Sequence, residues 1–443
     1  MEGFLAVLLV LISSLAIIHL VQVQGQPGFI SLDCGLPVYE PSPYSESYTG
    51  LQFSSDAKFI QSGETGIVKT GNFLKPYATL RYFPDGRRNC YNIPVEKGTK
   101  YLIRAWFIYG NYDGRDSNPI FDLYLGPNLW VTVDMQKPGN NDTSEEILHI
   151  PTSASLQVCL VKTDKTTPFI SALELRPMGN KSYITKAGSL KLVRRTYYTK
   201  SEDYIRYPDD AYDRIWIPRS LSWLTYISTT NDVSNDNGYN LPKAVRQNGA
   251  TPTNASLPIT ITWPSENPDD QYYMYEHLAE IQDLQANETR EFVVLLNGKN
   301  ISYPVTPKKL KITTMESLAP RTCQGGQCSL QLSRTRGSTL PPLLNAYEIY
   351  SVIQFMQPET NENEVVALKS IQDTYKLNRI NWQGDPCVPQ HLMWDDLNCS
   401  DTIISTSPRI TSLNLSSSGL TGNIAAAIQN LTLLEKLDLS NNN

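Results

Sequence analysis

The chain has 443 residues, 40% of them hydrophobic and 19% charged, and its formal net charge is −6. This length predicts two to four domains of about 100–200 residues, and the hydrophobic share excludes a mainly disordered protein. The mild acidity argues against nucleic-acid binding, which needs a basic face, while 25 tyrosines, 29 prolines and 25 glycines beside 4 histidines favour a β-rich fold with many turns.

An apolar run opens the chain. Residues 4–23 read FLAVLLVLISSLAIIHLVQV, and a short polar stretch containing Gly25 follows. The pattern predicts a cleaved signal peptide over residues 1–25, although the run is also long enough to serve as an uncleaved membrane anchor. Both interpretations place the following chain in the secretory pathway. No second apolar run of about 18 residues follows, so we expect contact with a membrane only through an uncleaved signal or a longer form of the protein.

Residues 26–178 contain short strand-like segments separated by turn clusters. Examples of the segments are YLIRAWFIY (101–109) and FDLYLG (121–126), and an example of the turns is GNYDGRDSNP (110–119). Regular short strands bounded by Gly, Pro, Asn and Asp are typical of an antiparallel β-sandwich. We therefore predict a first sandwich lobe over residues 26–178.

Residues 200–356 resemble this first lobe. Three segments match at offsets of 171–174 residues, for example FDLYLGP (121–127) with FVVLLNGK (292–299), where 292 − 121 = 171. A nearly constant offset indicates a duplicated domain. The alternative is that apolar alternation common to all β-sandwiches produces the match. Under the duplication hypothesis, residues 179–199 are the linker between the two lobes.

The pattern changes after Met356. Apolar spacing predicts a helix over residues 361–377, and a tryptophan-containing segment with two cysteines follows, so residues 357–400 are interpreted as a helical, disulfide-bonded cap. Residues 408–443 carry leucines with a period of 434 − 410 = 24, typical of leucine-rich repeats. Such repeats need about three copies for stability. The sequence stops within the second copy, so we interpret this part as truncated leucine-rich repeats.

Asparagine sequons support passage through the secretory pathway. One Asn-x-Ser/Thr motif is a weak signal, but eight in one chain are typical of a glycosylated surface. The predicted glycosylation sites are Asn141, Asn180, Asn254, Asn287, Asn300, Asn398, Asn414 and Asn430.

Seven cysteines are expected to form disulfides in an oxidising compartment. Two pairs are close in sequence, and the first of them encloses the loop QGGQ. Of the other three cysteines, one must be unpaired or bonded elsewhere, and the two in strand-like segments are the favoured pair. The predicted disulfides are Cys323–Cys328, Cys387–Cys399 and Cys90–Cys159, and this choice leaves Cys34 over.

Several longer motifs together carry a family resemblance. They include LDCG (32–35), LRYFPDGRRNCY (80–91), YLIRAWFIYGNYDG (101–114), DDAYDRIW (209–216) and WQGDPC (382–387). On these motifs the chain resembles, over residues 30–443, the extracellular half of plant malectin-like leucine-rich-repeat receptor-like serine/threonine kinases. The resemblance implies a mainly β fold with two tandem malectin-like β-sandwich lobes, an α-helical disulfide cap and the start of a leucine-rich-repeat solenoid.

The same resemblance implies a membrane helix and an intracellular kinase after the repeats. The 443 residues contain neither, so signalling by phosphorylation is not assigned to this polypeptide. It also implies a location at the cell surface as part of a receptor in the plasma membrane, or secretion into the apoplast if the truncation is real.

No catalytic constellation is evident. His149, His277 and His391 lie in unrelated contexts, without the motifs of zinc proteases, serine hydrolases or phosphate-binding loops. Cys387, His391 and Cys399 could be metal ligands, but a disulfide is the favoured interpretation in an exported chain. We therefore predict no enzyme activity, no cofactor and no metal.

Two pairs of adjacent carboxylates, Glu145–Glu146 and Asp209–Asp210, could suggest acid–base chemistry. Neighbouring residues on a strand face opposite ways. We therefore expect these side chains to be solvated charges.

Aromatic residues near glycines of the first lobe provide a ligand hypothesis. Aromatic faces stack on sugar rings, and Asn and Asp side chains bond the hydroxyls. Malectin, which this fold resembles, binds a disaccharide through loop aromatics and an acidic residue. The alternative is that these rings fill the sandwich core, as large aromatics usually do. The candidate ligand-binding residues are Tyr82, Phe83, Tyr109, Asn111, Tyr112, Asp113 and Trp130.

Two classes of function remain. The first is an ectodomain that recognises a cell-wall glycan or a secreted peptide, either alone or together with co-receptor leucine-rich-repeat ectodomains, or that acts as a soluble decoy. The second is a secreted carbohydrate-active enzyme, which would need paired carboxylates about 5–10 Å apart in a cleft. A third explanation is that the sequence is an incomplete gene model of a receptor kinase.

Overall fold

The computed structural model describes residues 26–137, 142–163, 166–185, 188–323, 326–400 and 406–443. The predicted signal peptide and the sequon Asn141 lie outside these residues. Within them the fold is mainly β, and no helix is long and apolar enough to cross a membrane.

The first lobe consists of short strands and two 3₁₀ turns (Asp56–Lys58 and Lys75–Tyr77). Its strands are β1 (Ile30–Asp33), β2 (Tyr44–Ser45), β3 (Gln52–Ser55), β4 (Glu64–Ile67), β5 (Thr79–Tyr82), β6 (Arg88–Pro94), β7 (Lys100–Ile108), β8 (Ile120–Leu125), β9 (Asn128–Asp134), β10 (Asp142–His149), β11 (Ser155–Lys162), β12 (Phe169–Ile170) and β13 (Ala172–Met178).

The second lobe also contains one short helix, α1 (Lys243–Gln247). Its strands are β14 (Ser189–Tyr198), β15 (Ile217–Arg219), β16 (Leu224–Ser228), β17 (Asn248–Pro252), β18 (Ile259–Pro264), β19 (Gln271–Leu278), β20 (Phe292–Leu296), β21 (Lys299–Asn300), β22 (Thr313–Glu316), β23 (Arg321–Thr322), β24 (Gln327–Arg334) and β25 (Ala346–Ile353).

The C-terminal segment begins with helix α2 (Glu362–Tyr375). Asn361 caps its start by accepting a hydrogen bond from the Asn363 backbone N–H, and Lys376 ends it in a left-handed conformation. The segment also contains 3₁₀ turns at Gln390–Leu392 and Ala426–Asn430, and strands β26 (Leu397–Cys399), β27 (Ile410–Asn414) and β28 (Lys436–Asp438).

One continuous sheet runs through both lobes. Its central order is β13-β7-β10-β14-β25-β19, so first-lobe strand β10 pairs directly with β14, which pairs with second-lobe strand β25. Residues 179–199 were expected to link the lobes, and β14, which lies within this range, joins them as a strand of the shared sheet.

Alternation along the strands gives the shared sheet two different faces. On β7, Tyr101, Ile103 and Phe107 enter the core of the first lobe, opposite the four-stranded sheet β6-β11-β8-β9. On β19, Tyr272 and Met274 enter a separate core of the second lobe, opposite β18-β24-β20-β21. Each lobe is therefore a β-sandwich built on one shared sheet.

Buried charges occupy the other face of the shared sheet. Glu146 on β10 accepts from Arg104 of β7 at 2.8 Å and from Arg195 of β14 at 2.7 Å, and Arg195 also donates to Glu348 of β25 at 2.7 Å. Each of these four side chains is at most 4% exposed. A chain of ion pairs therefore crosses from the first lobe to the second.

Residues 206–216 extend this network from above the sheet. Arg206 donates to Asp213 at 2.9 Å and to Glu174 of β13 at 3.2 Å, and Asp210 pairs with Arg214 at 2.8 Å. Burial alone would raise the pKa of Glu174, but Arg206, Arg176 and Arg104 lower it below its usual value.

The expectation that both carboxylate pairs are solvated is wrong for one member of each. Glu146 and Asp210 are buried and ion-paired, because each lies beside arginines of the buried network. Their neighbours Glu145 and Asp209 are more accessible to solvent. Adjacent side chains do point in opposite directions. The side on which Glu146 and Asp210 lie, however, is buried and not exposed to solvent.

Three disulfides are present in the described residues. Cys90 and Cys159 lie opposite each other on β6 and β11. The other two bonds are Cys323–Cys328 and Cys387–Cys399, and Cys34 is a buried free thiol.

Candidate functional site

A polar groove lies at one end of the first lobe and has a volume of about 430 Å³. Two of the candidate ligand-binding residues, Tyr109 and Asn111, line it, and both belong to the turn after β7. The other lining residues are Thr70, Gly71, Phe73, Gly110, Asp116, Asn118 and Asp142.

The turn that holds these residues requires glycine. Gly110 has a φ of +45°, and a β-carbon there would lie 2.2 Å from Cγ1 of Val68. The Lys69 backbone N–H donates to the Gly110 carbonyl at 2.9 Å. The close approach of the two chain segments therefore fixes the position of Asn111, which itself has a φ of +49°.

Hydrogen bonds within the groove orient its polar groups. The Tyr109 hydroxyl donates to Asp113 Oδ1 at 2.6 Å, and burial and this bond raise the pKa of Tyr109 to about 12. Asn111 Nδ2 donates to Asp116 Oδ1 at 2.6 Å. Burial raises the pKa of Asp142, which also lines the groove. The groove thus presents carboxylate and amide oxygens, which suit ligands that carry hydroxyl or amide donors.

Most candidate aromatic rings belong to the core instead. Phe83, Tyr109, Tyr112 and Trp130 are at most 8% exposed, and Tyr82 packs against the same core while its hydroxyl donates to Glu64 at 2.6 Å.

Tyr112 illustrates why these rings have no free face. Its ring centroid lies 5.1 Å from that of Tyr82, 5.6 Å from Tyr109 and 5.7 Å from Phe169. Such spacings are those of packed aromatic clusters. Of the seven candidate residues, the structure brings only Tyr109 and Asn111 to the groove wall, with Asp113 hydrogen-bonded to Tyr109.

Sequence reasoning missed several groove residues. Asp116 and Asn118 belong to the turn cluster at 110–119, so their loop position was visible. Phe73 and Asp142 come from distant segments, and no local pattern indicated that they meet this turn.

The described sequons lie mostly on the surface. Asn180, Asn254, Asn287, Asn300, Asn398 and Asn430 are exposed, whereas Asn414 is half-buried. None of these lies in residues 26–178, where Asn141 is the one sequon in the sequence.

The architecture is a tandem β-sandwich whose two lobes share one sheet. The sequence model of the malectin-like domain family matches residues 32–352, and the chain therefore belongs to the malectin-like family.

Curated relatives extend the likeness beyond these residues. A probable leucine-rich-repeat receptor-like serine/threonine-protein kinase of Arabidopsis thaliana, At5g59680, is 65% identical over 99% of this chain and 50% of its own length. A second from the same plant, PAM74, is 62% identical over 97% of this chain and 49% of its own length. The chain spans about half the length of these relatives. The aligned part is the extracellular one, so their kinase domain is not among the 443 residues.

Solved structures show the same fold at low sequence identity. The ectodomain of ANX2 from Arabidopsis thaliana superimposes with a TM-score of 0.63 at 18% identity, covering 74% of this chain and 97% of that one. The structure of the plant peptide RALF23 in complex with FER and LLG2 matches with a TM-score of 0.60 at 17% identity, covering 74% and 96% of the two chains.

Proposed function

We propose that this chain is the ligand-recognising extracellular part of a malectin-like leucine-rich-repeat receptor kinase. The observation that carries the proposal is the 65% identity to such a kinase over 99% of the chain. The chain itself supplies recognition, because it presents concave surfaces on a tandem sandwich and the kinase activity would belong to a separate domain.

A secreted peptide is the favoured ligand class. One structural neighbour was solved with the peptide RALF23 and the protein LLG2, which supports a peptide-binding surface on this tandem fold. A co-receptor ectodomain is a further proposed partner by the same reasoning.

A cell-wall glycan is the second candidate. The groove at Tyr109 and Asn111 supplies amide and carboxylate groups for sugar hydroxyls. The burial of Phe83, Tyr112 and Trp130 weighs against a version in which those rings stack on sugar.

We further propose that residues 357–400 are a repeat cap and residues 408–443 begin a leucine-rich-repeat solenoid. β27 and β28 pair in parallel with Leu413 opposite Leu437, one period of 24 residues apart. The Asn442 amide donates to the Leu415 carbonyl at 2.8 Å and accepts from the Ser418 backbone N–H at 3.0 Å. Such a contact between successive turns is what the asparagine of a leucine-rich repeat would make, and it supports the proposal.

The proposed location is the outer face of the plasma membrane or the apoplast, with residues 1–25 as signal peptide and N-glycans on the sequons. Expression of the full chain in a secretory plant host tests this. N-terminal sequencing should begin near residue 26, and glycopeptide mass spectrometry should find modified exposed sequons. Retention of the intact N-terminus in an unglycosylated product would contradict it.

Binding of defined ligands to the secreted chain tests recognition. Synthetic RALF23 peptide and cello- and xylo-oligosaccharides would be titrated by calorimetry. Asn111→Gly removes the groove amide but keeps the positive φ, and should weaken oligosaccharide binding at least tenfold if the groove holds a glycan. Asn297→Gly is the matched control, since Asn297 has a φ of +47° in the second lobe. Failure of every probe to bind would overturn the recognition proposal.

A further inference from the structure

A second cleft lies where the first lobe meets the C-terminal segment, and we call it the junction cleft. Its volume is about 530 Å³. The walls come from the β8–β9 hairpin (residues 124–129), the connector after β25 (residues 354–358) and the turn at residues 389–391. Neither the candidate ligand-binding residues nor the groove at Asn111 involve these residues.

The wall between hairpin and connector is fixed by paired hydrogen bonds. Asn128 Nδ2 donates to the Gln357 carbonyl at 2.9 Å, and the Gln357 backbone N–H donates to Asn128 Oδ1 at 3.0 Å. Gly126 adopts a φ of +56°, and a β-carbon there would lie 3.0 Å from Oε1 of Glu359. These contacts hold two distant segments together beside the cleft.

The third wall is fixed by arginines of β6 and its preceding turn. Arg88 donates to the carbonyls of Val388 at 3.3 Å and Asp385 at 2.7 Å, and Arg87 donates to the carbonyl of His391. The turn at residues 389–391 is therefore anchored on the first lobe, and the cleft is a preformed concavity.

The lining carries no Asp, Glu, Lys or Arg. A charged ligand group would therefore find no Asp, Glu, Lys or Arg partner among the lining side chains. The lining contains both apolar and amide side chains. Of the apolar ones, Leu129 is 46% exposed and Met356 is 58% exposed. The side chains of Gln354 and Gln390 are exposed and make no hydrogen bond within the described residues. The cleft thus offers free amide groups beside aliphatic surface.

This chemistry fits a peptide better than a sugar. A side-chain amide has one acceptor and two donors, which match the C=O and N–H of a peptide backbone. Tyr124, the only Phe, Tyr or Trp in the lining, is 7% exposed and packs against the Cys90–Cys159 disulfide and Leu392. The lining therefore has no open phenyl, phenol or indole face for stacking on a sugar ring.

The lining of the cleft also carries no predicted glycosylation site. No sequon asparagine lines it or directly neighbours a lining residue in sequence. The groove at Asn111 differs, since its lining residue Asp142 follows the sequon Asn141.

We propose that the junction cleft binds an extended, uncharged segment of a secreted peptide, with an aliphatic side chain between Leu129 and Met356 and backbone amides paired with Gln354 and Gln390. This inference rests on the proposed function, because it assigns the peptide to a particular site. A bound peptide would contact the first lobe, the connector and the C-terminal segment together, and would hold the last of these in place.

Methionine-methyl NMR tests the site directly. The secreted full chain would be labelled at the methionine methyl carbons, and the Met356 resonance assigned with Met356→Leu. The probe is a blocked octapeptide, acetyl-GPLQLPQG-amide. It should shift the Met356 resonance, whereas versions with two Glu or two Lys in place of Gln should bind at least tenfold more weakly, and cellohexaose should cause no shift.

Variants separate this site from the rest of the protein. Gln354→Ala with Gln390→Ala should weaken octapeptide binding at least tenfold, and Leu129→Asp should abolish it. Gln285→Ala, an exposed residue of the second lobe, is the matched control and should bind like the parent.

The failures are distinguishable. Equal binding of the charged octapeptides, a Met356 shift with cellohexaose or no shift with any octapeptide would overturn the assignment of the cleft. If RALF23 binds the parent and Leu129→Asp equally, the junction cleft is wrong while peptide recognition by the chain stands.

Discussion

The first lobe has two junctions of opposite character. Its junction with the second lobe is a shared sheet covered by buried ion pairs, in which Glu146 binds both Arg104 and Arg195. Its junction with the C-terminal segment is held by hydrogen bonds of side-chain amides and by hydrogen bonds from arginine side chains to backbone carbonyls. One side of this junction is the open junction cleft, whose lining carries no Asp, Glu, Lys or Arg.

The difference has a physical consequence for recognition. A buried ion pair is costly to separate, because each partner would become an unpaired buried charge. A part-buried hydrogen bond between neutral groups, such as those between Asn128 and Gln357, contributes only about 0.5–1.5 kcal/mol, because bonds to water can replace it. The two lobes should therefore behave as one body, whereas the C-terminal junction is the place where a ligand can alter contacts at small cost.

The largest expected effect comes from breaking the lobe–lobe junction at Glu146. Glu146→Ala leaves Arg104 and Arg195 short of a carboxylate in a dry interior, and we expect a loss of about 3–5 kcal/mol in the free energy of unfolding. Glu145→Ala is the matched control, since adjacent side chains on a strand face opposite ways. Chemical denaturation of both variants provides the measurement, and equal losses would contradict the assigned role of the ion pairs.

Acid should weaken the same junction. Arg195 and Arg104 overcome the effect of burial and lower the pKa of Glu146, and arginines likewise lower the pKa of Glu348. A carboxyl group whose pKa is lowered in the folded state stabilises the fold at any pH above its unfolded-state pKa, which is near 4. It loses this contribution as pH falls further, toward the folded-state pKa.

The buried His277 and the half-buried His149 extend the acid effect to higher pH. Burial lowers the pKa of His149 to about 4, and burial also lowers that of His277. As pH falls below about 6.5, these histidines therefore take up protons in the unfolded state before they do so in the folded state. Carboxyl groups with raised pKa values, such as Glu276, act in the opposite direction over this range, so the histidine contribution is measured as a difference between the parent and His149→Gln. In thermal unfolding the parent should lose more stability than His149→Gln as pH falls from 6.5 to 4. Equal losses in the two proteins would contradict this.

A smaller loss of stability is expected from a substitution at the C-terminal junction. Gly384 has a φ of +71°, and a β-carbon there would lie 2.8 Å from Cζ of Arg88 and from the Cys90 sulfur. Gly384→Ala should therefore loosen the C-terminal segment by about 1–3 kcal/mol without unfolding the lobes. Faster proteolytic cleavage between residues 353 and 361 would report it.

Gly419→Ala is the control for backbone strain alone. Gly419 has a φ of +69°, and a β-carbon there would have no neighbouring atom within 4 Å. If both variants were cleaved at the same rate, contact with Arg88 and Cys90 would not be the cause.

The last expected effect is a gain in stability from a substitution in the core of the second lobe. Glu276 lies on the core-facing side of β19, and burial raises its pKa to about 8. Its folded pKa lies above its unfolded value, so ionisation costs stability as pH rises from about 4.5 to 8. Glu276→Gln should stabilise the protein by about 1–3 kcal/mol at pH 7, and by little at pH 4. A gain that does not depend on pH would exclude this explanation.

Much of the fold was predictable because its signals are local. Strand alternation and turn residues indicated the sandwich of the first lobe, and the offset of 171 residues indicated the second. The family resemblance is confirmed by the match over residues 32–352.

The shared sheet and the junction cleft were not predictable, since both depend on long-range pairing. Nothing local at Glu146 indicates that Arg195, 49 residues away, lies beside it. The cleft joins Asn128 to Gln357 across 229 residues. The ligand hypothesis named aromatic residues that are mostly buried. The sequence cannot show this, because a ring near a glycine turn can face either the solvent or the core.

Hydrogen–deuterium exchange of the secreted full chain tests the contrast between the two junctions most directly. Strands β7, β10, β14 and β25 should open with one common free energy close to that of global unfolding. The connector at residues 354–358 and the turn at residues 389–391 should open at lower free energy and become protected by the bound octapeptide. Separate opening of β10 and β14, or a C-terminal junction as protected as the shared sheet, would contradict the account.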